Sequence, residues 1–174
     1  MFPVKHLGGV LFLGYNRGEV SMIIRSRKVR EAVRRYNADG VKLDSPEATA
    51  NIIKSVLLSM DKQDRDKEIF FSIGLNVKLQ VKYIEIVSMG VLNASLVSPR
   101  ELFRTAFIRG GVLNIIIAHN HPSGDTTPSL DDIKITHTLR DAGDLLDIHV
   151  IDHIIVSTNG EYFSFKANGL MDKK

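Results

Sequence analysis

The run Ile115-Ile116-Ile117-Ala118-His119-Asn120-His121-Pro122-Ser123-Gly124-Asp125 constrains this chain more than any other stretch. Its apolar first half reads as a buried strand, and the strand ends directly in two histidines. Side chains alternate across a strand, so His119 and His121 point to one face and Asn120 to the other. Pro122 and Gly124 break the strand, and a helical pattern opens near Ser129, just before Asp131-Asp132. Two imidazoles at a strand end, with a carboxylate at a helix start beyond them, can meet at one metal ion.

Composition narrows which ion that is. The chain has no cysteine, which excludes disulfides and thiolate ligands. A site built from His, carboxylate and water suits Zn²⁺. The 174 residues, 44% hydrophobic and 25% charged, describe a globular chain with room for one real core. No apolar run approaches the length of a membrane span, and no signal-peptide pattern opens the chain, so the cytoplasm is the expected compartment. The formal charge of +3 is unevenly spread. Arg25, Arg27, Lys28, Arg30, Arg34 and Arg35 crowd one segment, either as a phosphate-binding footprint or as a solvated helix face. No aromatic stacking platform accompanies them.

Along the chain, Val10–Leu13 and Val20–Ile24 flank the turn group Asn16-Arg17-Gly18 and predict a hairpin. Lys28 to Tyr36 reads as a short helix. Ser45-Pro46-Glu47 opens a second one, with Ser as N-cap and Pro at the first helical position; Ala48, Ile52, Ile53, Val56, Leu57 and Met60 line its inner face. The polar stretch Asp61 to Lys67 is the softest boundary. It separates an N-terminal extension, residues 1–66, from a metal domain, residues 67–166, and a fraying tail, residues 167–174. Glu68–Leu75 and Leu79–Val87 read as paired strands. Ser98-Pro99-Arg100-Glu101 carries the pattern of a capping box, with Leu102, Phe103, Ala106 and Phe107 as the buried face of its helix. A helix from Ser129 to Leu146, a strand from Ile148 to Val156 and a short returning strand from Glu161 to Phe165 complete an α/β (α+β) arrangement, a mixed sheet flanked by helices.

His119-x-His121-Pro122-Ser123-Gly124 followed by Pro128-Ser129-x-x-Asp132 resembles the JAMM (MPN+) metalloprotein signature in its RadC-like form. The likeness extends to Leu92–Glu101 upstream and to Leu146-Asp147 and Asp152-His153-Ile154-Ile155 downstream, covering roughly Lys67 to Phe165. The resemblance implies a cytidine-deaminase-like sheet flanked by helices, with one Zn²⁺ held by His119, His121 and Asp132. A fourth position is left to water, whose pKa zinc lowers to ~7. It also implies Glu68, at the head of the first strand, as the proton carrier. Ser129 would donate to the oxyanion of a tetrahedral intermediate, or serve as N-cap with Asp132 three residues on. JAMM members of known activity are metal-dependent peptidases or isopeptidases, so a peptide or protein substrate is expected. The RadC-like branch is named for DNA repair, which keeps a second reading open: a nucleic-acid-binding module using Arg25–Arg35, with a structural or accessory metal. One departure stands out. Longer RadC-like proteins carry a helical, DNA-binding-like segment before the metal domain, and residues 1–66 show no helix-hairpin-helix glycine signature.

Other titratable residues compete for these roles. Asp131 reads as a solvated first-turn charge and Asp125 as a loop cap. Glu85 is the second choice for the base, against a plain exposed strand carboxylate. Strict alternation puts His149, Ile151 and His153 on one side of their strand, where a histidine could pack, hydrogen-bonded, behind a metal ligand. His6 and His137 have no supporting context.

Overall fold

The computed structural model describes residues 41–90 and 97–172, together with the short strands β1 (His6–Leu7) and β2 (Val10–Leu11), which pair antiparallel. The rest of the expected first hairpin, the helix over Lys28–Tyr36 and the basic segment Arg25–Arg35 lie outside the described residues. Ser45 caps α1 (Pro46–Leu58) by accepting from the Ala48 N–H, with Pro46 in the first turn where a missing N–H costs nothing. The one-turn α2 (Lys62–Arg65) leads into β3 (Glu68–Leu75) and β4 (Val81–Gly90). After α3 (Pro99–Arg109) come β5 (Asn114–Asn120), α4 (Leu130–Leu145), β6 (His149–Val156) and β7 (Tyr162–Ser164).

The five longer-range strands form one mixed sheet in the order β4-β3-β5-β6-β7. All pairings are antiparallel except β5 with β6, which α4 connects. Each face of the sheet builds its own core. On one face Ile69, Phe71, Ile73, Ile116, Ala118 and Ile154 pack against Ile53, Val56 and Leu57 of α1. On the other, Phe70, Ile115, Ile117 and Val150 meet Leu102 and Phe103 of α3 and Leu139 of α4. The catalytic-looking histidines therefore lie on the α3–α4 face, and α1 covers the back.

Several expectations change on this frame. Residues 43–60 share one continuous core with the sheet, so the polar stretch 61–67 is a surface connection within a packed unit. Residues 167–172, expected to fray, are tied down. Leu170 N–H donates to the Phe165 carbonyl at 2.8 Å, and Arg140 donates to the Met171 carbonyl at 2.5 Å and to Asp172 at 2.7 Å. Ser98 does cap α3 in sequence position, but no side-chain capping bond forms. Glu101 instead faces Arg100 and Arg104, each at 3.3 Å. Phe107, read as buried, is 59% exposed, because Phe103 and Ala106 already fill the helix's inner stripe.

The β5–β6 ladder carries the change with the largest consequence. Its register passes from Ile115↔Val150 to Ile116↔Asp152, so Ile151 is an extra residue. A bulge of this kind reverses the alternation beyond it. Val150 packs on the α3–α4 face, Ile151 against the α1 face, and His153 is returned to the α3–α4 side, where His119 lies.

Glu85 is buried, 7% exposed, and pairs in register with Ser72, not with the end of β3 where Glu68 stands. Four residues of strand separate it from Glu68, about 13 Å, which removes it as a base for this site. Burial pushes its carboxyl above the ordinary value, and its Oε2 has no hydrogen-bond partner. A raised carboxyl pKa makes the folded state hold the proton more tightly than the unfolded chain does. Stability is therefore lost as pH rises from the ordinary carboxylate value through the raised one. Glu85→Gln is expected to melt at higher temperature than the parent at pH 7 and to show no advantage at a pH where both carboxyls are protonated. A lower melting temperature at both pH values would refute this.

Candidate metal centre

Three elements deliver four side chains to one point. β5 brings His119, with His121 just past its end; the head of β3 brings Glu68; and the first turn of α4 brings Asp132. Phe70 pairs with His119 across the antiparallel ladder, which sets Glu68 opposite His121 on the same face. One ligand atom from each of Glu68, His119, His121 and Asp132 lies within 4.8 Å of every other. His119 Nε2 is 3.0 Å from His121 Nε2 and 3.3 Å from Asp132 Oδ1. Glu68 Oε1 lies 3.8 Å from each imidazole Nε2. Among the described residues no other group of this kind is found.

The residue between the histidines works in the opposite direction. Asn120 faces away from the cluster, and its Oδ1 accepts from the Ile69 N–H at 2.9 Å while its Nδ2 donates to the Lys67 carbonyl at 3.0 Å. These two backbone groups flank Glu68. The strand period thus makes two neighbours of Asn120 reach the metal position while Asn120 itself holds the backbone on either side of Glu68.

Asp132 is held by the helix cap. Ser129 Oγ accepts from the Asp132 N–H at 3.1 Å and donates its hydrogen to Asp132 Oδ2 at 2.6 Å; the Ser129 N–H donates to the same Oδ2 at 2.7 Å. This is a reciprocal capping box with Asp in place of the usual Glu. The Ser129 hydroxyl hydrogen is directed at the Asp132 carboxylate, the arrangement expected of its capping role. The other oxygen, Asp132 Oδ1, is buried and has no hydrogen-bond partner.

Charges within the cluster are strongly shifted. Burial pushes the His119 imidazole down to about 4. His121 moves up, first because the Asp132 carboxylate lies beside it. Burial works to raise the Asp132 carboxyl, but the neighbouring His121 and His119 imidazoles and the hydrogen bonds from Ser129 carry it well below the usual range. Burial also lowers His153.

The donor set fits a zinc ion. Bonds of about 2.0–2.1 Å in tetrahedral geometry put neighbouring donor atoms about 3.3 Å apart, close to the 3.0 and 3.3 Å separations among His119, His121 and Asp132. His121 Nδ1 lies 2.7 Å from the Asp125 carbonyl, which can only accept, so Nδ1 carries the hydrogen and Nε2 keeps its lone pair. An unpartnered buried carboxylate oxygen beside such a lone pair is a site that a cation completes.

The rival residues settle elsewhere. Asp131 is exposed in the first turn of α4. Asp125 caps its loop by accepting from the Thr127 N–H at 2.8 Å, and its backbone, not its carboxylate, orients His121. His149 pairs with Asp144 at the surface, and His137 donates to the Leu170 carbonyl. The His6 side chain lies outside the described residues. His153 is buried and hydrogen-bonded, its Nε2 2.8 Å from His119 Nδ1. Thr136, which helical spacing places on the inner side of α4 without a chemical role, has its hydroxyl 2.6 Å from His153 Nδ1. Its position four residues after Asp132, on the same helix face, was the available signal.

Residues 43–170 match the family described as the RadC-like JAB domain. The chain is 47% identical over 115 residues to a UPF0758 protein of Desulforamulus reducens, covering 66% of this chain and 50% of that relative. It is 52% identical over 104 residues to UPF0758 protein STH371 of Symbiobacterium thermophilum, covering 60% and 44%. With UPF0758 protein TTE0897 of Caldanaerobacter subterraneus it shares 41% over 134 residues, covering 77% and 54%. The chain spans about half the length of these curated relatives.

Asn120→Ala leaves the Ile69 N–H and the Lys67 carbonyl without their partner. Each buried group so orphaned costs about 1–3 kcal/mol, so chemical denaturation should show a loss of at least that size. Unchanged stability would mean that water replaces both bonds and that Asn120 does not hold the head of β3.

Proposed function

Because the chain belongs to the RadC-like JAB domain family, we propose that it is a zinc-dependent hydrolase that cleaves a peptide, isopeptide or other amide bond. The observation that carries this reading is the convergence of His119, His121 and the unpartnered Asp132 Oδ1, with Glu68 Oε1 at the margin, 3.8 Å from both imidazoles. Three protein donors and one adjoining carboxylate form the division of labour that a hydrolytic zinc site needs.

When bound, Zn²⁺ supplies a Lewis acid and lowers the pKa of a coordinated water to ~7. His119, His121 and Asp132 would hold the ion, and the Ser129 cap aims Asp132 by engaging Oδ2 and leaving Oδ1 unpartnered. Glu68 accepts the proton of the attacking water at a carboxylate oxygen and returns it to the leaving nitrogen. Its backbone is clamped by Asn120, so its carboxylate keeps its distance from the histidines through both transfers. A polar cleft of about 210 Å³, lined by Lys62, Arg65, Asp66, Asn120, His121, Pro122 and Thr158, opens beside His121 and gives a substrate chain room to approach. A single site with one carboxylate ligand suits amide hydrolysis better than phosphodiester cleavage by paired metals.

Metal analysis of protein purified without added zinc is expected to find about one zinc per chain; protein free of tightly bound metal would overturn the reading. Glu68→Gln is expected to keep the metal and lose roughly 10²–10⁴-fold in turnover on a peptide-library substrate. Loss of metal in that variant would make Glu68 a ligand, and unchanged turnover would remove it as the base. Ser129→Ala should lose about 1 kcal/mol of stability with the cap and bind zinc more weakly. A kcat loss of roughly 10²–10³ at saturating zinc would instead restore Ser129 as an oxyanion donor.

A further inference from the structure

We propose that Thr136 and His153 are positioning residues that fix the tautomer of His119 and thereby keep its metal-facing nitrogen free of a proton. The inference rests on the zinc-site reading for its purpose, but its geometry stands in the protein itself. Five polar atoms form a connected series behind the site. Thr136 Oγ1 is 2.5 Å from the Asp132 carbonyl oxygen and 2.6 Å from His153 Nδ1, and His153 Nε2 is 2.8 Å from His119 Nδ1. Thr136, His153 and His119 are each fully buried, so no bulk water enters the chain of bonds.

The direction of every bond in this line follows from its far end. A carbonyl oxygen can only accept, so the single hydroxyl hydrogen of Thr136 goes to Asp132. Thr136 Oγ1 then accepts from His153, which places the His153 proton on Nδ1 and leaves Nε2 bare. His153 Nε2 accepts from His119, which places that proton on Nδ1. His119 Nε2 is left with its lone pair, 3.0 Å from the His121 Nε2 that the Asp125 carbonyl has likewise stripped of a proton. Two backbone carbonyls, one in α4 and one in the loop after β5, therefore set both imidazoles in the form that binds a metal. The relay closes on itself, because the carbonyl that starts it belongs to Asp132, the third ligand.

The opposite direction is also a complete set of bonds. If Thr136 donated to His153 Nδ1, His153 Nε2 would donate to His119 Nδ1, and His119 Nε2–H would point at His121. That arrangement blocks the metal position with a proton. The Asp132 carbonyl alone breaks the tie, since two oxygens at 2.5 Å need a hydrogen between them. His153 can take part only because the β6 bulge at Ile151 turns it onto the His119 face.

Nitrogen-15 NMR of the histidine rings in metal-free protein reads the tautomers directly. The wild type is expected to show neutral His119 and His153 both protonated at Nδ1. Thr136→Val removes the hydroxyl at nearly constant shape, and His153 should then move its proton to Nε2 and His119 likewise. The same variant should bind zinc about 10- to 100-fold more weakly in chelator competition. Thr136→Ser, which keeps the hydroxyl, should restore both the spectrum and the affinity. Wild-type His119 protonated at Nε2, or a folded Thr136→Val with unchanged tautomers and zinc affinity, would overturn the proposal. If Thr136→Val fails to fold, the wild-type spectrum and Thr136→Ser still decide it. A wild type that binds no zinc but shows the Nδ1 tautomers would sink the functional reading and leave the relay standing.

Discussion

The alternation of side chains along the end of β5 is the constraint on which the site depends. A strand offers neighbouring residues to opposite faces, and here both faces are used. His119 and His121 turn to the α3–α4 side and define where an ion can sit. Asn120 turns to the other side and bonds the backbone flanking Glu68. The separation between the metal position and the carboxylate is thus carried by three consecutive residues of one buried strand and its ladder to β3. A shift of one residue in register would put Asn120 at the metal and the histidines in the α1 core.

The start of α4 supplies what the strand cannot. Helix N-termini carry free N–H groups that favour a carboxylate, and the Ser129–Asp132 box uses them to hold one oxygen of Asp132 while the other stays unpartnered. The helix cap and the candidate metal site therefore draw on the same side chain. Ser129 is hydrogen-bonded so fully because its hydroxyl and its N–H both orient the Asp132 carboxylate. The Thr136 hydroxyl extends the same economy one turn further along the helix, toward His153.

Much of this was legible in the sequence. The strand ending in the two histidines, the Ser45-Pro46 helix start and the β3 boundaries follow from period and cap chemistry, whereas Asp132, beside Asp131, and Glu68 are singled out by the family resemblance. The mixed sheet flanked by helices follows from their order. What could not be read depends on long-range register. Strict alternation places His153 with His149 and Ile151, and only the extra residue at Ile151 separates them. Glu85 reads as an alternative base until the β3–β4 register carries it away from the histidines. Glu101 matches a capping pattern, yet two exposed arginines draw its carboxylate off. The polar stretch after Met60 looks like a boundary because composition does not reveal that α1 packs into the core on one face of the sheet.

The central claim is that two imidazoles and one carboxylate, and no third imidazole, hold a single ion. X-ray absorption at the zinc edge of protein carrying one equivalent of Zn²⁺ tests it most directly. The account predicts a four-coordinate site with only nitrogen and oxygen neighbours at about 2.0–2.1 Å and multiple scattering from two imidazoles. A third imidazole in that pattern would place His153 on the metal, break the relay, and contradict the account.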